Sequence, residues 1–322
     1  MQRQVKNALV LLFAVAALLA VLASLTGAAS ALRQANPVFF ALAAAFFLLS
    51  ILIWLVGWAM LLKSSGVSSS RSMPIGFSCF FASLTPIQLG ADALRSIKLK
   101  EIAAVPYSET ISASMVVKGL KFFFIALLAS FAFFSALFNP ALSAWIKAAM
   151  LSGFAVVAIA TLLFLLPLHK KIGLRIAGMF RVVAKKLHMF SKLADYFQKY
   201  SVYLQKQKKS TIALIALLSL VSLLLEFAAF LSCFLSANTM IPLYSATLLF
   251  SLLIILERTP FLPQGIGAVE AVGFAFLSMQ SFTAAQLSLS QIAAIIILFD
   301  SVRLIIPTIA SMAVYGMLFA KK

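Results

Sequence analysis

From Pro37 to Leu62 the chain carries no charged side chain, and several other stretches are nearly as apolar. A run of about 20 apolar residues is long enough to cross a bilayer as a helix. Hydrophobic residues make up 63% of the sequence, charged residues 11%, and mean hydropathy is +1.09. The expected fold is therefore all-α, a polytopic transmembrane bundle of about 7–8 spans. Candidate spans are residues 7–30, 37–62, 110–138, 141–167, 210–237, 241–257 and 288–319.

Net charge is +18, and its placement matters more than its size. Residues 168–209 hold eleven Lys/Arg against one acid, Asp195. With spans on either side, this reads as a cytoplasmic segment obeying the positive-inside rule, and nucleic acid is not an expected partner. Within it Ile172, Ile176, Phe180, Val183, Leu187, Phe190, Ala194 and Phe197 recur at helical spacing, with Lys185, Lys192 and Lys199 on another face. That pattern predicts a basic amphipathic helix, or two broken near Gly178, lying against anionic lipid headgroups. The apolar stretch from Ala8 to Leu25 exceeds a usual cleaved signal region and is expected to be an uncleaved first span. The distribution of basic residues puts the N-terminus in the cytoplasm of a multi-pass protein of the cell (plasma or inner) membrane.

Two places do not fit a simple span. The first reads Pro86-Ile87-Gln88-Leu89-Gly90-Ala91-Asp92-Ala93-Leu94-Arg95, the second Pro263-Gln264-Gly265-Ile266-Gly267-Ala268-Val269-Glu270. Pro and Gly interrupt helices, and a carboxylate in a membrane is costly. Such backbone is tolerated only where protein buries it or a wet cavity lies beside it. The run from Ile75 to Leu89 is too short to span, so a re-entrant segment is expected there, with a helix lying on the surface as the other reading. Residues 259–282 either cross once or re-enter like the first break, and the two readings put the C-terminus on opposite sides. In each half two spans precede a break, an acid and a longer helix. The chain thus reads as a single membrane domain, 1–322, with one half over 1–167, the basic segment over 168–209 and a second half over 210–322. Paired broken segments point to a transporter's binding site.

The charged residues inside this apolar frame are few. Asp92 and Arg95 share a helical face. Arg95 could bind a headgroup phosphate through its planar fork while Asp92 holds the guanidinium, or Asp92 could simply favour a helix N-terminus. Glu270 could bind a cation, take up a proton or pair with a basic group. Asp300 and Arg303 repeat the i, i+3 spacing just before Pro307, as a functional pair or a structural clamp. Glu226, mid-span, should be protonated, paired or facing water. Lys118 and Lys121 either face the same cavity or snorkel to the interface. Glu257-Arg258 marks a span end.

Enzyme signatures are sparse. The two histidines, His169 and His188, both lie in the basic segment, and no His/Cys/Asp cluster has metal-ligand spacing. Cys79 and Cys233 sit in apolar runs and imply neither a disulfide nor a metal. There is no phosphate-binding Gly-rich loop for ATP. No cofactor is expected, and the chain is not expected to be an enzyme.

At the two breaks the chain resembles the transmembrane region of lysylphosphatidylglycerol synthases and their stand-alone flippase-like relatives. The family's Pro…Gly-Gly-Asp-x-x-Arg signature appears as Pro86 with Gly90-Ala91-Asp92-Ala93-Leu94-Arg95, and its Pro-x-x-x-Gly-x-x-Glu as Pro263, Gly267 and Glu270. An acid-Arg pair usual on the following helix is replaced by Val117-Lys118. The resemblance implies a bundle that moves a phospholipid or lipid-linked amphiphile between leaflets. Asp92, Arg95, Lys118 and Glu270 would meet the substrate, and Asp300, Arg303 and Glu226 would form a gate or coupling network. The sequence stops at Lys322 without the synthase domain, so lysyl-lipid synthesis is not expected of it. Two other readings stay open: a non-transporting scaffold or regulator of an envelope lipid enzyme, and a membrane-embedded lipid-modifying enzyme. A homo-oligomer or an envelope-enzyme partner fits any of these.

Overall fold

Long apolar runs become helices here because lipid offers the backbone no alternative hydrogen-bond partner. The computed structural model describes residues 9–319, leaving aside 11, 14–15, 18, 21–22, 25, 85–89, 139–143, 167–171, 173–174, 176–177, 180–188, 258–262 and 280–286. The helices are α1 (Ala28–Arg33), α2 (Pro37–Leu62), α3 (Ser69–Ser78), α4 (Gly90–Ala103), α5 (Tyr107–Leu137) and α6 (Ala144–Leu165). They continue as α7 (Met189–Gln205), α8 (Lys209–Ser236), α9 (Leu243–Glu257), α10 (Ala268–Leu277), α11 (Leu289–Asp300) and α12 (Ile306–Phe319). Short 3₁₀ turns cover Phe80–Leu84 and Pro263–Gly265, and a π turn, Ser301–Ile305, joins α11 to α12. Among the described residues there is no strand. The all-α expectation is met.

Among the described residues, four stretches are long and apolar enough to cross a membrane: Pro37–Ser65, Tyr107–Ser135, Lys209–Ser236 and Leu289–Phe319. Large apolar side chains point outward along them, Phe131, Phe134, Leu217 and Leu224 among them. In water so many exposed apolar groups would drive association; in lipid they cost nothing. The expected span over 241–257 forms α9, whose 15 residues reach about 22 Å, short of a core about 30 Å thick.

The bundle is organised on the antiparallel pair α2 and α8. Asn36 caps α2 by accepting from the Val38 N–H at 3.0 Å, and Pro37 follows where its missing N–H costs nothing. At that end the Asn36 N–H donates to the Ser236 carbonyl (2.7 Å), and the Ser236 hydroxyl donates to the Asn36 carbonyl (3.0 Å). Midway, Ser222 donates to the Ser50 carbonyl at 3.1 Å. At the far end Tyr203 donates to the Leu61 carbonyl at 3.0 Å, and the Gln207 amide to Ser64 at 2.7 Å. Apolar burial gains little between helices in lipid, so small residues and such polar contacts set the register.

Tyr203 belongs to α7, the described part of the expected amphipathic helix. Its apolar face includes Tyr200 and Leu204, both buried, while Lys199 stays exposed. Burial pushes the Tyr203 phenol well above its usual range, so it acts as a donor throughout the physiological range. This helix therefore docks on the bundle by its last turns. The expected break near Gly178 and both histidines fall in or beside undescribed residues.

The first break forms α3, the 3₁₀ turn at Phe80–Leu84 and α4; Pro86 lies outside the described residues. The second forms the 3₁₀ turn at Pro263–Gly265 and α10. Each of α3 and α10 is ten residues, about 15 Å, too short to cross alone. The two breaks pack across the halves: α12 lies against α3 and against Phe80–Leu84, and the two 3₁₀ turns touch each other.

Candidate functional site

Gly90 opens α4 and places Asp92 in its first turn, where a helix N-terminus favours an anion. One turn on, Arg95 returns to the same face, and its Nη1 donates to Asp92 Oδ1 at 3.0 Å. Its Nε donates to the Gly76 carbonyl of α3 at 2.9 Å. The Trp54 and Trp58 rings of α2 flank the guanidinium at 4.9 and 5.8 Å from their centroids. Lys118, from α5, donates to the other Asp92 oxygen. Asp92 and Arg95 are 2% and 3% exposed, whereas the Lys118 side chain keeps 23%. So Lys118 is the open cation of this cluster, and two cations share one acid.

Lys118 is thus not a lysine that snorkels to the interface. It partners Asp92 from the facing helix. Lys121, one turn further on, is likewise turned inward. It donates to Glu226 Oε1 at 2.6 Å and to Ser222 at 3.1 Å. Of the three states open to Glu226, the structure has it paired, with a side chain only 7% exposed. This pair ties α5 to the α2–α8 core.

The second break is built around Arg303. Pro307 has no N–H to offer the Arg303 carbonyl four residues back, and its ring crowds that carbonyl. The helix widens here, and the Ile306 N–H reaches the Ser301 carbonyl, five residues back. Arg303 Nε donates to Asp300 Oδ1 at 2.7 Å, Nη2 to Glu270 Oε1 at 2.9 Å and Nη1 to the Gln264 carbonyl at 2.8 Å. Glu270 also accepts from the Gly267 N–H at its own helix start. Asp300 and Arg303 are essentially closed to solvent, and Asp300 Oδ2 has no hydrogen-bond partner among the described residues. Here, among the described residues, the ratio is reversed: two acids share one guanidinium.

Gln264 joins the two breaks. Its carbonyl serves Arg303, and its side-chain amide donates to the Ser83 hydroxyl of the first 3₁₀ turn at 2.7 Å. It holds φ 53° and ψ 24°, a left-handed conformation worth about 1–3 kcal/mol of strain in a residue with a β-carbon. Its neighbours explain how this is held. Gly265 turns at φ 68° against the backbone of Leu256 and Glu257, and Pro263 starts the turn. Glu257 is accordingly more than a span end: it is buried beside the break.

The sequence pointed to Asp92, Arg95, Glu270, Asp300 and Arg303 and to the glycines around them. The structure gathers these into two clusters linked through Ser83 and Gln264, and leaves Glu226 with Lys121. Gln264, Ser83, Trp54 and Trp58 carry no charge and had no signal of their own, except that Gln264 stands between Pro263 and Gly265.

The Lys121–Glu226 pair offers a clean measurement. Lys121→Met alone takes the lysine from a buried carboxylate and should destabilise the protein by about 3–5 kcal/mol. Adding Glu226→Gln should restore most of that loss in a thermal unfolding assay in detergent micelles.

Membrane-length helices, outward apolar side chains and buried ion pairs together define a multi-pass membrane protein. The chain belongs to the family described as the lysylphosphatidylglycerol synthase TM region, which it matches over residues 8–311. No curated protein and no solved structure matches it.

Proposed function

We propose that this protein moves a phospholipid or lipid-linked amphiphile between membrane leaflets, carrying the lipid rather than altering it chemically. The observation that carries this reading is the meeting of the two breaks through Ser83 and Gln264, each backed by a buried arginine. Broken helices facing each other within a bundle are where transporters hold their substrates. Both breaks would dip into the membrane without crossing it, giving a polar cleft for a headgroup while the acyl chains stay in lipid. Lys118, with one acid shared between two cations, is the first contact for a phosphate. Arg95 reaches it only when α3 and α4 part, since Gly76, Asp92 and the two tryptophans occupy it here. Asp300, Arg303 and Glu270 form the opposing gate.

In this reading the protein sits in the cell membrane with its N-terminus in the cytoplasm. The basic face of α7, with Lys199, rests near anionic headgroups. Family membership favours a lipid substrate over other amphiphiles.

The test is translocation of a fluorescent phospholipid in vesicles containing the purified protein. Lys118→Gln leaves Asp92 paired with Arg95, so the bundle should fold. Loss of one charged contact to phosphate should slow translocation by at least about tenfold. Equal rates for wild type and variant would sink the proposed headgroup site.

A further inference from the structure

Removing two carboxylates from water is costly unless each is matched by a cation or a donor. At the second break Asp300 and Glu270 share Arg303, the one guanidinium that reaches both among the described residues. The Glu270 carboxyl stands beside Asp300. Asp300 Oδ2 is fully buried and receives no donor among the described residues. A gap of about 10 Å³ borders Asp300, lined by Phe230, Leu253, Val269, Ile296 and Phe299. A water there would need two or more polar partners, and apart from Asp300 this lining is apolar.

We propose that Asp300 and Glu270 hold one exchangeable proton between them, and that its uptake and release couple a proton gradient to movement of the second break. The coupling half rests on the transport reading above; the presence of the proton does not.

With the proton on Asp300 Oδ2, that oxygen becomes a donor toward Glu270, and the cluster of two acids and one guanidinium is neutral. When the proton leaves, no bond to carbon changes; two carboxylates then compete for Arg303. Asp300 is held at the end of α11, so Glu270 is the one to move. It is the more open of the two, its side chain 11% exposed, and it sits in the first turn of the ten-residue helix α10. Its release frees the Gly267 N–H and loosens the turn that carries Gln264 and the Ser83 contact. Proton transfer would therefore run from solvent to Glu270 and on to Asp300.

The surroundings keep this site apart from the first cluster. From α8 the Cys233 thiol faces Asp300, and from α9 Glu257 adds a further acid near Arg303. Packed along α11, α1 carries one titratable group, Arg33, in its last turn. α2, which lies against the π turn, carries none. At the first break Asp92 already has two cations and needs no proton.

Infrared difference spectroscopy on the purified protein in vesicles reads a protonated carboxyl directly, through its C=O stretching band. The wild type should hold such a band at neutral pH and lose it as pH rises. Asp300→Asn and Glu270→Gln each leave one acid paired with Arg303, so both should fold, with a melting temperature no lower than wild type, and both should lack the band. Glu101→Gln, which alters an acid exposed to solvent elsewhere, should retain it. A wild type without the band, or a band persisting in both variants, overturns the proton site. A band that sodium abolishes at fixed pH, with choline as the control, also overturns it in favour of a metal cation.

The second arm is lipid translocation in the same vesicles with and without an imposed pH gradient. The gradient should speed the wild type severalfold and leave Glu270→Gln unchanged. A wild type indifferent to the gradient overturns the coupling even where the band is present. Absence of translocation under every condition counts against the transport reading itself, while the infrared arm still decides whether the proton is there.

Discussion

Arg303→Gln is expected to be the most damaging single charge change in the protein. Its guanidinium serves Asp300, Glu270 and the Gln264 carbonyl at once, and it is 1% exposed. Glutamine is shorter and neutral, so two buried carboxylates and a strained backbone turn lose their shared donor together. Breaking a buried pair from one side costs about 3–5 kcal/mol, and here two acids are stranded. The expected result is a fall in the melting temperature in detergent large enough to lower the yield of folded protein. The triple change Arg303→Gln, Asp300→Asn, Glu270→Gln removes the stranded charges and should recover most of the loss. It should not recover lipid movement, because Gln264 would no longer be held by a charged donor. If Arg303→Gln alone melts within a degree or so of wild type, the triad is not the clamp described here.

The arrangement around Arg303 was half legible in the sequence. Asp300 and Arg303 stand three apart inside an apolar run, and helical periodicity alone puts them on one face. The same rule found Asp92 and Arg95. Nothing local told which partners come from elsewhere. Glu270 meets Arg303 across 33 residues, Lys118 meets Asp92 across 26 and Lys121 meets Glu226 across 105. Spacing along one helix carries no information about the helix opposite. For that reason Lys118 and Lys121 also read as interface lysines: a long apolar stem with a charged tip suits either place. Gln264 was harder still. Its role comes from backbone conformation, and an uncharged side chain in a Pro-Gly turn has the composition of any loop.

The sequence also located both breaks without saying that they meet. Each is a Pro-Gly interruption before a first-turn acid, a local pattern read directly. Their contact depends on α12 packing across to α3 and Phe80–Leu84, a long-range choice made by shape. Charge then gives the two halves different chemistry: the first cluster has cations to spare for a phosphate, the second acids to spare for a proton. A gate in which one break senses the lipid and the other senses the gradient needs a mechanical link. Among the described residues the hydrogen bond between Gln264 and Ser83 is the direct one between the two turns.

That link depends on Gly265, and Gly265→Ala is expected to break it. A β-carbon there would lie 2.9 Å from Glu257 Cα and 2.9 Å from the Leu256 carbonyl oxygen. Both are backbone atoms at the end of α9 and cannot rotate away as a side chain would. The residue also sits at φ 68°, where a β-carbon adds about 1–2 kcal/mol of its own. Gly267 separates the two effects. Its φ is 90°, yet nothing lies within 4 Å of a β-carbon built on it. Gly267→Ala should therefore carry the backbone cost alone and lower stability by about 1–3 kcal/mol. Gly265→Ala should carry that cost and also push the Pro263–Gly265 turn off α9, drawing Gln264 away from both Arg303 and Ser83. The expected pattern is a modest loss of melting temperature for Gly267→Ala, and for Gly265→Ala a large loss together with abolished translocation. Equal behaviour of the two variants would mean that contact with α9 is not what positions Gln264, and the mechanical link between the breaks would have to run elsewhere.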